Sequence, residues 1–128
     1  MASHASLRYT IVITGPAYGT QQSSCAYQFI HTLLTQTPHT IHTIFFYEDG
    51  VYNANDFIRP ANDEFNLVQA WQNLASQFNL SLVTCVSAAL RRGVIQDEKH
   101  NNLTDHFQVS GLTALSAAIA NSDRVIQF

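Results

Sequence analysis

The chain has 128 residues, 46% of them hydrophobic and only 12% charged, with a formal net charge of -3. That length suits one domain and lets about two-thirds of the unfolded surface be buried, so neither disulfides nor a structural metal is required. The charge fraction is about half the usual value, which excludes a disordered tail or a coiled coil and points to a surface partly covered by partner subunits. An acidic balance also argues against direct phosphate-driven nucleic-acid binding.

The N-terminus, MASHASLRYTIVITGPAYG, holds only the short apolar run Ile11-Val12-Ile13, too short for a signal peptide or a membrane span. A cytoplasmic chain with two free thiols, Cys25 and Cys85, is expected. Arg8 to Thr14 reads as a buried strand ending at Gly15-Pro16. Gln21 to Thr35 follows with apolar residues at Cys25, Ala26, Phe29, Ile30, Leu33 and Leu34, steps of three and four that make one helix face. On that face Cys25 is expected to pack. Thr40 to Tyr47 reads as a second strand, and Glu48 to Asn62 as a long loop of functional or interfacial use.

Asp63 to Phe78 carries the next helical pattern, with Asp63 and Glu64 in its first turn. Leu80 to Val86 is the third strand, with Cys85 near its C-terminal end. Ser87 to Gly93 reads as a short helix capped by Ser87 and stopped by Gly93. A polar stretch, Gln96 to Asp105, leads to a short strand at Phe107 to Val109. Ser110 can cap a helix from Gly111 to Ala120, and Asp123 to Phe128 is a last strand. Alternating strands and helices imply right-handed crossovers and a parallel sheet covered on both faces. Sites in such sheets form outside the C-terminal strand ends. The Gly15–Gly19 turn, the loop after Tyr47, and Cys85 all fall there.

Cys85 is the sharpest chemical feature. A cysteine just before a helix start meets backbone N–H groups that favour its thiolate, and Arg91 and Arg92 in the same short helix add positive field. The competing reading is a small buried hydrophobe. The Cys85–Arg91 spacing also matches that of tyrosine-type phosphatases, but their phosphate nest commonly needs glycine and Val86 to Leu90 has none. The Gly15–Gly19 turn is neither GxGxxG nor a Walker loop; simple turn geometry explains it, with flavin or anion binding as the alternative. The histidines His39 and His42 diverge across a strand start and lack partners at ligand spacing, so no metal and no cofactor are expected.

Five strings in this order resemble a known family: TGPAYGTQQ from Thr14, FFYEDGVYNAN from Phe45, CVSAALRRGV from Cys85, SGLTAL from Ser110, and the terminal DRVIQF. Together they are similar to the DsrE-type sulfurtransferases, in the branch that builds sulfur-relay complexes, over nearly all of Tyr9 to Phe128. The resemblance implies a three-layer α/β/α fold with a mainly parallel five-stranded sheet over residues 8–128, preceded by a flexible extension, residues 1–7. It implies that the active cysteine falls on Cys85, with Arg91 as a candidate thiolate-stabilising neighbour from the reading above. It further implies TusB-like and TusC-like sister subunits in a heterohexamer with two of each, a TusA-like persulfide donor and a TusE-like acceptor, with neither nucleic acid nor membrane as a direct partner. The relay would end in 2-thiouridine at the tRNA wobble position. A non-catalytic assembly subunit, or a flavin- or anion-binding α/β module, is the alternative.

Overall fold

The computed structural model describes residues 5–97 and 99–128; the first four residues of the expected extension lie outside the described residues. Within that extension, Ser6 Oγ donates to the Pro38 carbonyl (2.9 Å) and the Leu7 N–H donates to His39 Nδ1 (3.0 Å).

Five strands, β1 (Arg8–Ile13), β2 (Thr40–Phe46), β3 (Leu82–Cys85), β4 (Phe107–Ser110) and β5 (Arg124–Gln127), form one sheet in the order β4-β3-β2-β1-β5. Every pairing is parallel. Four helices connect them: α1 (Gln22–Gln36), α2 (Leu67–Phe78), α3 (Val86–Arg91) and α4 (Leu112–Ala120). A 3-10 helix, Glu48–Ala54, occupies the start of the loop after β2.

The chain steps from β1 through β4 in one direction, then returns across three strands to β5. Right-handed crossovers therefore place α1, α2 and α3 on one face of the sheet and α4 on the other. Side chains agree. On the first face Phe46 stacks edge-on against Trp71 of α2 and packs on Phe107. On the second, Thr10 Oγ1 meets the Ala118 carbonyl of α4 (3.4 Å) and Ser122 Oγ (2.6 Å). The expected three-layer α/β/α arrangement is thus the observed one. The core centres on Ile11, Ile13, Ile44, Phe45, Phe46, Trp71 and Leu82, each fully buried.

Several boundaries move for local reasons. The second helix starts at Leu67, not Asp63, because Asn66 caps it by accepting the Gln69 N–H (3.1 Å). Glu64 is spent in the preceding turn, accepting the Ala61 N–H (2.8 Å). Ser87 does not cap α3: Cys85 holds the cap position, with no side-chain capping bond. Gly93 does stop that helix, at φ +73°, where Gly93 N–H reaches the Leu90 carbonyl and Val94 N–H reaches the Ala89 carbonyl. Gly111, not Ser110, caps α4, since Ser110 is held in the sheet opposite Cys85.

Candidate functional site

Three structures meet at the C-terminal end of the sheet: the Gly15–Gly19 turn, the 3-10 helix, and the junction of β3 with α3. The 3-10 helix is anchored to the core. Tyr47 N–H donates to the Ile13 carbonyl (2.9 Å), and a Cβ placed on Gly50 would lie 2.0 Å from that same oxygen. Only glycine fits there. Asn53, fully buried, donates through Nδ2 to Ser23 Oγ (2.9 Å), the Gly50 carbonyl (2.9 Å) and the Gly15 carbonyl (3.3 Å). Its Oδ1 accepts the Trp71 indole N–H (2.9 Å). One side chain thus binds the first turn, α1, α2 and the 3-10 helix together. The long loop after Tyr47 is a structural hub at its start, which sequence patterning alone did not show.

The Gly15–Gly19 turn is closed by the chain's own groups. The Gly15 carbonyl accepts from Ser23 Oγ (2.7 Å), and a Cβ on Gly15 would meet the Gln22 side chain. Tyr18 Oη donates to the Phe65 carbonyl (2.6 Å) and accepts from the Leu67 N–H (3.1 Å), tying the turn to the start of α2. Turn geometry, the simpler of the two readings of this segment, accounts for these bonds.

Cys85 ends β3, with its backbone paired opposite Ser110 of β4, and is 2% exposed. Strand alternation, fixed by Thr10 and its contact with α4, puts Val83 and Cys85 on the α4 face of the sheet. Its neighbour Val86 opens α3 and, with Leu90, Ile95, Leu103 and Val109, lines an apolar groove of about 610 Å³ whose rim includes Asp97 and Ser110. Cys85 itself is not among the lining residues. The wall of this groove is a small hairpin that the sequence presented only as a polar stretch. Ile95 bridges Asn101, and its turn is held by Asp97, which accepts from the Lys99 N–H, the His100 N–H and the His100 ring. The His100 ring bond, then the two backbone N–H bonds, hold the Asp97 carboxyl below its usual range.

The two arginines of the α3 segment part company. Arg91 is exposed. Arg92 folds back: Nε donates to Asp49 Oδ1 of the 3-10 helix (2.7 Å), and Nη1 to the Ala88 carbonyl (3.3 Å). Cys25 departs from expectation: it is exposed, not packed. The buried stripe of α1 is Ser23, Ala26, Ile30 and Leu33, so Cys25 falls just off it and instead borders a groove with Tyr9, Phe29, His39 and Phe128. Steps of three and four fitted both stripes; the buried Ser23, needed by Asn53, rotates the helix to the observed one. His39 accepts the Leu7 N–H through Nδ1 (3.0 Å), and His42 Nδ1 bonds Thr43 Oγ1 (2.8 Å). Among the described residues no cluster of His, Cys, Asp or Glu is arranged to hold a metal.

Comparison with known proteins gives this geometry its context. The DsrE/DsrF-like family profile matches residues 7–128. The chain belongs to that family. A sulfurtransferase TusD of Buchnera aphidicola subsp. Acyrthosiphon pisum is 52% identical to it, covering 95% of this chain and all of the relative. The sulfurtransferase TusD of Photorhabdus laumondii is 48% identical, covering 97% of this chain and 99% of the relative. The crystal structure of the ychN protein from E. coli, 20% identical, superposes with a TM-score of 0.80 over 95% of this chain and 99% of that one, which shows the shared fold. With identity near one half over matched full lengths, this DsrE/DsrF-like chain is a sulfurtransferase. Among the described residues no helix is long and apolar enough to cross a membrane.

Proposed function

We propose that Cys85 is the catalytic residue, carrying sulfane sulfur as a persulfide between two other proteins of a cytoplasmic relay that ends in 2-thiouridine at the tRNA wobble position. The domain doing this is residues 8–128. The observation that carries the reading is the position of Cys85: it closes a strand at the C-terminal edge of the sheet, where this fold class gathers its chemistry. The Cys85 thiolate attacks the outer sulfur of a donor cysteine persulfide. A sulfur–sulfur bond forms at Cys85 Sγ as the donor's breaks, the donor leaves as a thiolate, and nothing is oxidised or reduced overall. An acceptor thiolate then attacks the same outer sulfur and regenerates the Cys85 thiolate. This needs neither cofactor nor metal. A TusA-like protein fits the donor and a TusE-like protein the acceptor. Arg91 adds positive field near the thiolate from its exposed position.

Sister subunits of TusB-like and TusC-like type, two of each with two of this chain, fit the surface of α4. That helix has no charged residue, and only Ala118 of it is buried. Leu112 and Ile119, with Val125 of β5, stand 50%, 45% and 44% exposed. An apolar helix left this open is the mark of a protein interface. It lies on the face to which strand alternation assigns Cys85, so subunit packing and access to the thiol are set on one side of the molecule.

The test is intact mass after incubation with a persulfidated donor protein, with peptide mapping. A gain of one sulfur atom on Cys85, absent in Cys85→Ser, is expected. Sulfur found only on Cys25, or none at all, overturns the assignment.

A further inference from the structure

We infer that Asp49 and Arg92 form a positioning pair that holds α3, and with it Cys85, in the arrangement competent for sulfur acceptance; this rests on the reading of Cys85 as the sulfur carrier. A six-residue helix is far too short to be stable alone, so its placement is decided by what its ends touch. At the first end stands Cys85, contributing no capping bond. At the last stands Arg92, whose guanidinium bridges Asp49 and the Ala88 carbonyl. Ala88 and Ala89 are buried, so the middle of α3 is seated by packing while its tilt is set by the bridge.

The other half of the pair is on a rigid mount. Asp49 precedes Gly50, whose backbone is pressed on the Ile13 carbonyl, and lies four residues before the buried Asn53. The bridge therefore fastens α3 to a fixed point in the fold. Arg92 is mostly shielded, its side chain 19% exposed, while Asp49 is 57% exposed. Among the described residues this is the one arginine–carboxylate ion pair. Arg91, one residue earlier, is turned about 100° away and shares none of it.

The experiment follows sulfur acceptance from cysteine persulfide by the full chain carrying Cys25→Ala, which removes the exposed thiol, with Cys85→Ser in that chain as the zero and thermal unfolding in parallel. Asp49→Ala and Arg92→Ala are each expected to slow acceptance by about three- to tenfold, below the ~100-fold that a 1 Å misplacement can cost. The double variant is expected to be no slower than either single one, because both remove the same bridge. Asp49→Glu restores the rate to within about twofold, by re-forming the pair. Arg92→Lys keeps the charge and the fold but cannot span both acceptors, and stays slow. High salt slows the wild type more than it slows Asp49→Ala. Single variants at wild-type rate, losses that multiply in the double variant, or full activity in Arg92→Lys overturn the inference and leave Cys85 untouched. Sulfur acceptance by Cys85→Ser overturns the underlying reading instead.

Discussion

Two strand-to-helix junctions flank β2 at the C-terminal end of this sheet, and they are built in opposite ways. After β1, the Gly15–Gly19 turn is locked by a buried, fully partnered set of side chains: Asn53, Ser23 and Trp71. After β3, Cys85 enters α3 with no capping side chain, and the helix is fastened by a bridge at the surface. The glycine-rich junction, where many α/β proteins bind phosphates, is here a rivet. The junction with the nucleophile is the lightly held one. The thiol that must meet the cysteines of two different proteins is 2% exposed at rest, and its helix is held through one bridge to a fixed point instead of through a buried network.

The largest expected effect breaks this contrast at the nucleophile. Cys85→Ser removes sulfur acceptance completely and costs only roughly 1 kcal/mol of stability, the scale of one buried hydroxyl in place of a thiol. Persulfide mass spectrometry and urea denaturation read the two quantities on the same sample. Unfolding of this variant would mean that the β3 junction is as structural as the β1 junction. The mirror experiment is Asn53→Ala, which strands the Trp71 indole N–H and removes the amide donor to the Ser23 hydroxyl and to the Gly15 and Gly50 carbonyls. It is expected to cost about 3 kcal/mol and to lower the melting temperature by roughly 10 °C. A loss below about 1 kcal/mol would show that the buried set is not the rivet described.

Cys25 sharpens the comparison from the other side of the molecule. It is exposed on a fifteen-residue helix, with nothing in its surroundings that makes it a relay residue. In the isolated chain iodoacetamide is expected to label Cys25 at least about tenfold faster than the buried Cys85. Cys25→Ala leaves sulfur acceptance intact and changes stability by no more than about 0.5 kcal/mol, as for an ordinary surface site. Faster labelling of Cys85 would show that α3 opens readily without a partner.

The order of strands and helices was legible because each element has a strong period: β-branched runs for β1 and β2, and an apolar stripe for α2 that recurs through Trp71, Leu74 and Ala75. The alternation of strands and helices implied the parallel sheet, and the family resemblance added its three-layer, five-stranded form. Two kinds of information were not local. Cys25 and Ser23 both sit on acceptable helical stripes, and the choice between them is made by Asn53, thirty residues away from Ser23. Likewise, Asp63 and Glu64 suit a helix start, but a better cap at Asn66 wins. At the candidate site the cysteine could be read from its place at a strand end. The division of labour between Arg91 and Arg92 could not, since it depends on Asp49, forty-three residues back in the chain.

The smallest expected effect concerns Arg91. It is exposed, so its charge acts on Cys85 through solvent and is screened over about 10 Å at ordinary ionic strength. Arg91→Ala is therefore expected to slow sulfur acceptance by about twofold or less at low salt. The difference should vanish at high salt, with no change in melting temperature. Arg92→Ala, whose bridge is partly shielded and geometrically fixed, should show the larger loss under identical conditions. Measuring both variants against cysteine persulfide across a salt series separates a diffuse field from a fixed contact. If Arg91→Ala proved the slower of the two, the positive field and not the mount of α3 would govern the reactivity of Cys85. The contrast between the two junctions would then lie in electrostatics instead of in how firmly each is held.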